Sequence, residues 1–255
     1  MRLKYFTATR ASISHPEENQ DSFFVDTRNH VAGVFDGVGG LSYGKEAAVS
    51  AAEFCKVEIN QVGIEKTLTL GHEFLKEKAK KEFGKNIATT AIIAQIYPGQ
   101  NPAFVVWGSV GDSRTYHFSE KLNQISQDDS LISQAMENDW ISAKKADQIN
   151  QATDLKDFNK VEKNLFFGRN MITQALGIGV MKPNIGKFKA KKGDAIILTS
   201  DGVHDNLTNK QMEEILNQVQ KDPAHALVKE AQRVSESDFL RAKPDDMCAV
   251  VIELI

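Results

Sequence analysis

Aspartates recur at the ends of apolar runs in this chain, and their placement is where its chemistry lies. Asp36 directly follows VAGVF, Asp201 follows AIILTS, Asp112 follows VVWGSVG, Asp21 precedes SFFV, and Asp245 with Asp246 stands just before CAVVI. If these ends meet at one edge of a sheet or sandwich, several carboxylates converge within a few ångströms. Repulsion of several kcal/mol at an effective dielectric of ~20 would raise their pKa values or splay the site unless a cation sits among them. Oxygen-only ligation, with no paired His or Cys, points to Mg(II) or Mn(II) rather than Zn(II). Gly37 and Gly202 complete two Asp-Gly pairs. Each allows a sharp bend and a close approach of backbone carbonyl to such an ion.

The stretch from Gly39 to Glu46, GGLSYGKE, offers a competing reading. It nearly spells the GxxxxGK[ST] of a phosphate-cradling P-loop, but Glu46 takes the place of the hydroxyl residue that would bind Mg(II). A carboxylate there suits a bound cation better than a polyphosphate. The P-loop reading also leaves Asp112, Asp201, Asp205 and Asp245 without a role.

The elements that must position these residues are visible as periodicities. Apolar runs rich in β-branched residues, His30 to Phe35, Ala88 to Tyr97, Ala103 to Val110, Asp194 to Thr199 and Cys248 to Ile255, read as strands with at least one buried face. Ala47, Ala48, Ala51, Ala52 and Cys55 form one helical stripe, and Leu75, Ala79 and Phe83 form another that Gly84 closes. Thr208 and Gln211 spell a capping box ahead of Met212, Ile215, Leu216 and Val219. A further helix opens with Asp222 as N-cap and Pro223 in the first turn, and buries Ala224, Leu227, Val228 and Ala231. Strands followed by strands, then pairs of helices, predict packed sheets covered by helices rather than strict βαβ alternation. Residues 127–172 are polar, with weak helical periodicity at Leu131, Ile132, Ala135 and Met136, and read as an inserted flap within a single domain spanning 1–255.

Bulk properties narrow the function classes. The 255 residues, 41% hydrophobic, suffice for a sizeable core without a disulfide or metal staple. A net charge of −3 supplies no global field to attract nucleic acid or anionic membrane. Cys55 and Cys248 read as buried small side chains. No signal-peptide core or run approaching ~18 apolar residues is present, so a soluble, cytoplasmic, monomeric protein is expected.

Taken in order, NQD (Asn19 to Asp21), VFDGVGG (Val34 to Gly40), GSVGDSR (Gly108 to Arg114), RNMITQALG (Arg169 to Gly177), SDGVHD (Ser200 to Asp205) and DDM (Asp245 to Met247) resemble the successive motifs of the type 2C, metal-dependent serine/threonine protein phosphatases, in their bacterial single-domain form. The resemblance spans nearly the whole chain. It implies an α+β, four-layer α/β/β/α sandwich, with two central antiparallel β-sheets flanked by pairs of helices. It also implies hydrolysis of phosphoserine and phosphothreonine in protein substrates, opposing a serine/threonine kinase, by a water activated at a binuclear Mn(II) or Mg(II) centre.

Residue by residue, Asp36 would bridge two tightly bound ions, with the Gly37 carbonyl assisting one. Asp201 and Asp245 would complete the pair, Asp21 would stand in or next to the coordination sphere, and Asp112 and Asp205 resemble holders of a weaker third ion. Three positions depart from the family pattern. Val38 stands where many members carry histidine. Pro16 stands where many carry a phosphate-binding arginine, with nearby His15, or more distant Arg10, as the candidate substitute. Asp246 stands where asparagine is frequent, which leaves open which member of the Asp245–Asp246 pair would ligate. Ser200 is assigned to the strand end rather than to attack, His204 to packing, Arg114 to a structural ion pair, Lys187 to Lys192 to a solvated hairpin, and Phe166 with Phe167 to a small core of the flap. The rival reading is a phosphatase-like domain that binds a phosphoprotein or partner without turnover. The retained carboxylates oppose it, because unpaired clustered charges would destabilise a fold that had lost its metal.

Overall fold

The computed structural model describes residues 1–39, 43–99, 101–219 and 221–255. Its strands follow from side-chain alternation. After His30, Val31 and Phe35 join one core while Ala32 and Val34 join another, the two-residue period of a strand buried on both faces. In chain order the protein forms β1 (Leu3–Arg10), β2 (Asp21–Asp26) and β3 (Val31–Asp36), then α1 (Gly44–Val62) and α2 (Ile64–Lys78), which runs on as a π-helical turn at Ala79–Phe83. β4 (Ala91–Tyr97), β5 (Ala103–Val110), β6 (Arg114–Phe118) and β7 (Leu122–Gln124) follow. Three short helices come next, α3 (Leu131–Glu137), α4 (Ala143–Asn150) and α5 (Lys160–Phe167). The chain closes with β8 (Asn184–Ala190), β9 (Ala195–Thr199), α6 (Asp201–His204), α7 (Asn209–Gln218), α8 (Pro223–Ser235) and β10 (Met247–Leu254).

Among the described residues the strands make two antiparallel sheets of five, ordered β1-β10-β9-β6-β7 and β2-β3-β4-β5-β8. Three apolar cores separate four layers. Ala47, Ala51, Cys55 and Leu68 of the first helix pair pack on Phe35, Ile93 and Val110 of one sheet. Val34, Ile92 and Val105 of that sheet meet Leu198, Cys248 and Val250 of the other across the centre. Met212, Leu227 and Ala231 of α7 and α8 cover the far face on Ile197 and Val251. This is the α/β/β/α sandwich expected from the sequence, and both cysteines lie buried within it as free thiols.

The helix signals act where the sequence places them. Thr208 and Gln211 form a reciprocal capping box on α7, the Asp222 carboxylate accepts the His225 amide at the start of α8, and Gly84 ends the π-helical turn with φ +62°. Residues 131–167 pack on a small cluster of their own around Ile132, Ile149 and Phe166, while Phe167 is exposed. Among the described residues, no helix is long and apolar enough to cross a membrane.

Candidate metal centre

The β2–β3 ladder ends with Asp21 directly opposite Asp36. Like charges in that position oppose pairing, so something other than the strands must compensate them. The backbone of Asp36 is tightly held: its amide donates to Thr90 Oγ1 at 3.2 Å, and its carbonyl accepts from the Thr90 amide and the Thr89 hydroxyl, each at 2.8 Å. Its carboxylate, by contrast, receives no hydrogen bond among the described residues. Asp21 takes one, from the Ser200 hydroxyl at 2.6 Å, and its Oδ1 is buried without a partner. Ser200 in turn accepts the Cys248 amide at 2.8 Å, so it joins two strand ends rather than facing a substrate.

Asp201 opens α6 with only Ser200 between it and the end of β9, and Asp245 precedes β10, so the adjacent, antiparallel strands β9 and β10 bring the two carboxylates together. Gly202 explains how closely. A Cβ there would lie 1.9 Å from the Asp246 carbonyl oxygen, and a Cβ on Gly37 would lie 2.4 Å from the Gly44 backbone. Both glycines of the Asp-Gly pairs are therefore required by backbone packing around the site.

The neighbouring aspartates of the 245–246 pair have different jobs. Asp246 is buried and spends both oxygens on backbone amides, Ser12 and Gln20, at 2.8 Å each, which ties the loop after β1 to the site. Asp245 is more exposed and keeps Oδ2 for the Lys243 ammonium at 2.9 Å.

These elements enclose a cavity of about 290 Å³ lined by Asp36, Gly37, Asp112, Asp201, Asp245 and Asp246, with Val38, Thr90, Asn170 and His15 among its other walls. Burial pushes the Asp36, Asp21 and Asp112 carboxyls well above the usual carboxylate range, and repulsion among the aspartates adds to it. Asp201 is pushed up to about 6 by the same burial, against the opposing pull of Lys243. Among the described residues, no three His, Cys, Asp or Glu side chains are drawn into a closed coordination group. The carboxylates line the cavity walls, and the three oxygens that do converge, from Asp201, Asp205 and Asp245, converge on Lys243 Nζ. An oxygen-only donor set with unpartnered buried oxygens on Asp21 and Asp201 fits a hard divalent cation.

Other expected residues fall outside this wall. Asp205 is buried behind it, bound by Arg169 at 3.3 Å and Lys243 at 3.1 Å. Burial alone would raise its pKa, but Lys243 and Arg169 hold the carboxyl below the usual range. Asp21 also stands behind the cavity rather than in its lining. His204 packs in the interior with Nδ1 against Thr199 Oγ1 at 2.9 Å. Arg114 makes the structural pair, with Nε and Nη2 both on Asp128, the shortest contact 2.6 Å. Arg10 is exposed on β1, away from the cavity, and Lys187, Lys189, Lys191 and Lys192 are exposed on β8 and the turn after it. His15 sits at the rim, its Nδ1–H donating to the Glu18 carbonyl at 2.9 Å, and that bond above all raises its pKa. Of the glycine-rich stretch, Gly40, Leu41 and Ser42 lie outside the described residues. Gly39 lines the cavity, and Lys45 and Glu46 are exposed in the first turn of α1.

A family profile described as protein phosphatase 2C matches residues 10–238. The chain belongs to the protein phosphatase 2C family. It is accordingly a phosphoprotein phosphatase. Among relatives it is 25% identical over 225 residues to the serine/threonine phosphatase Stp of Listeria monocytogenes, covering 83% of this chain and 81% of that one. The fold is shared with the serine/threonine phosphatase Stp1 of Staphylococcus aureus, with a TM-score of 0.78 at 18% identity over 100% of this chain and 96% of the other. It is shared also with the catalytic domain of the phosphatase PstP solved with two manganese ions, with a TM-score of 0.74 at 20% identity over 99% and 98%.

The phosphatase thus shows carboxylates whose strand-end spacing was legible, together with wall residues that carried no sequence signal. Thr90 in the wall, and Thr89 that holds the Asp36 carbonyl, are ordinary β-formers by type. Lys243 lies in a short polar stretch, RAKP, where a lysine is expected in solvent.

Proposed function

We propose that this enzyme hydrolyses phosphoserine and phosphothreonine in proteins with the help of two Mn(II) or Mg(II) ions, opposing a serine/threonine kinase. The observation that carries the reading is the single cavity lined by Asp36, Asp112, Asp201 and Asp245, in which Lys243 is the one lysine or arginine among the described lining residues. Asp36 would lie between the two ions, with the Gly37 carbonyl beside it. Asp201 and Asp245 would complete their ligands, and Asp21 would orient the group from behind through Ser200. Asp246 is the positioning member of its pair, because its oxygens are committed to amides. Asp112 is the cavity-facing candidate for a weaker third ion, whereas Asp205 acts from behind through Lys243.

Ions bound there supply an acidified water as nucleophile and positive charge for the phosphoryl oxygens. The protein's own part is to hold the carboxylates in place around the cavity, and to present His15 at the rim to the incoming phosphate. The phosphorylated side chain of the target would enter the cavity, whose volume is about 290 Å³.

The deciding experiment is hydrolysis of p-nitrophenyl phosphate and a phosphothreonine peptide with Mn(II), with EDTA, and by Asp36→Asn. Turnover that needs Mn(II) and is lost in the variant is the expected result. A folded protein that binds Mn(II) and turns over neither substrate would instead make the domain a phosphoprotein-binding module.

A further inference from the structure

Lys243 is the one lysine or arginine among the described residues lining the cavity. It does not reach the site by chance of a long side chain. The buried Asn206 clamps its backbone on both sides: Asn206 Nδ2 donates to the Lys243 carbonyl at 2.9 Å, and the Lys243 amide donates to Asn206 Oδ1 at 2.9 Å. Pro244 then fixes the chain direction into Asp245. From this anchor the ammonium binds Asp201 Oδ2, Asp245 Oδ2 at 2.9 Å and Asp205 Oδ2 at 3.1 Å. The remaining oxygens show what is at stake. Asp245 Oδ1 already accepts the Asp246 amide at 2.9 Å, and Asp205 Oδ1 faces Arg169. Of the oxygens of these three aspartates, only Asp201 Oδ1 is buried without a partner among the described residues.

A divalent ion bound by Asp201 and Asp245 therefore needs oxygens that Lys243 holds. We propose that Lys243 is a tethered competitor for the metal: its ammonium keeps the carboxylates together at low metal, is expelled from them when the ions bind, and sets the metal concentration at which the enzyme becomes active. The inference rests on Asp201 and Asp245 being ligands, as proposed above. Its consequence is an enzyme whose activity follows free Mn(II) or Mg(II) over a higher range than the carboxylates alone would give. Lysine suits this role because its charge is compact and its stem flexible, so the head can leave while the backbone stays clamped.

The test is calorimetric titration of MnCl2 into wild type, Lys243→Met, and Asp205→Asn/Lys243→Met. The double variant removes a negative charge with the positive one and so protects the fold. Binding at least tenfold tighter in the lysine-free proteins is expected, together with a lower melting temperature for Lys243→Met in EDTA. Equal or weaker binding in both would overturn the proposal and make Lys243 an ally of the bound state, such as an anchor for the phosphate. In that outcome wild type still binds Mn(II), so the metal-centre reading stands. If neither wild type nor variants bind Mn(II), both fall.

A second readout needs no variant. Acetylation of Lys243 by a water-soluble acylating reagent, followed by mass spectrometry, should be several-fold faster with saturating Mn(II) than with EDTA. A rate that is unchanged or slower would count against expulsion.

Discussion

At the scale of single residues, the site is a set of charges held in an arrangement the protein alone does not favour. Asp36 is the extreme case, because its backbone is fixed by Thr89 and Thr90 while, among the described residues, its carboxylate has neither a hydrogen-bond donor nor a cation of its own. Replacing it by asparagine keeps the shape and removes the charge. Asp36→Asn should therefore have opposite effects on stability and function. In EDTA the variant is expected to be more stable by about 1–3 kcal/mol, the scale of relief when a buried charge is neutralised in place. For a domain of this size that is a rise of roughly 2–10 °C in melting temperature. With Mn(II) the order should reverse, because only wild type gains binding energy. Differential scanning calorimetry with and without metal measures both signs. A lower melting temperature for the variant in EDTA would mean that the carboxylate has a stabilising partner in the fold.

At the scale of elements, what positions the charges is the way strand ends abut. The β9–α6 junction and the segment before β10 touch through Gly202, with no room for a methyl group beside the Asp246 carbonyl. Gly202→Ala should push these two segments apart, at a cost of about 1–3 kcal/mol for overpacking, and weaken Mn(II) binding by separating Asp201 from Asp245. Thr208→Ala, a few residues on, removes the α7 cap at a cost of about 1 kcal/mol and should leave Mn(II) affinity unchanged. Urea denaturation and metal titration of the pair distinguish a site effect from general destabilisation. If Gly202→Ala binds Mn(II) as wild type does, the close approach serves the fold and not the site. The same contrast explains what could be read from the sequence. β3, β4, β5, β9 and β10 are buried on both faces or nearly so, and their continuous apolar runs announced them together with the aspartates at their ends. β1 and β8 are sheet-edge strands with exposed lysines, and β7 has only three residues, so their patterns merge with those of loops. Lys243 escaped, and the choice within the Asp245–Asp246 pair stayed open, for another reason: the roles of Lys243 and Asp246 depend on contacts to Asn206, Ser12 and Gln20, remote in sequence, which no local pattern encodes.

At the scale of the whole molecule, the clustered carboxylates link stability, protons and metal. Asp201 titrates near 4 in the unfolded chain and is pushed up to about 6 in the fold, and Asp21, Asp36 and Asp112 are raised as well. Between those values the folded state holds more protons than the unfolded state, so unfolding releases protons. The contribution of these groups is fully present below pH ~4 and is lost as pH rises through their folded pKa values, at about 1.4 kcal/mol per unit for each group. Asp205 has the opposite sign: its folded pKa is depressed, so its contribution is present above pH ~4 and is lost as pH falls below that. Lys243 stays charged throughout, its pKa raised by the three aspartates despite burial. The raised carboxylates of the metal-free enzyme should therefore lower its stability as pH rises toward 7–8, while the buried His204, held well below the usual imidazole range by burial, takes stability away as pH falls below ~6.5. Metal needs the same carboxylates ionised, so protons compete with it and its stabilising effect grows with pH. The rise in melting temperature on adding saturating Mn(II) should be larger at pH 7.5 than at pH 5, while the EDTA form shows the reverse trend. A metal-free enzyme whose stability is flat from pH 5 to pH 8 would show that the aspartates are already compensated within the protein, with Lys243 and Arg169 sufficient for the whole cluster.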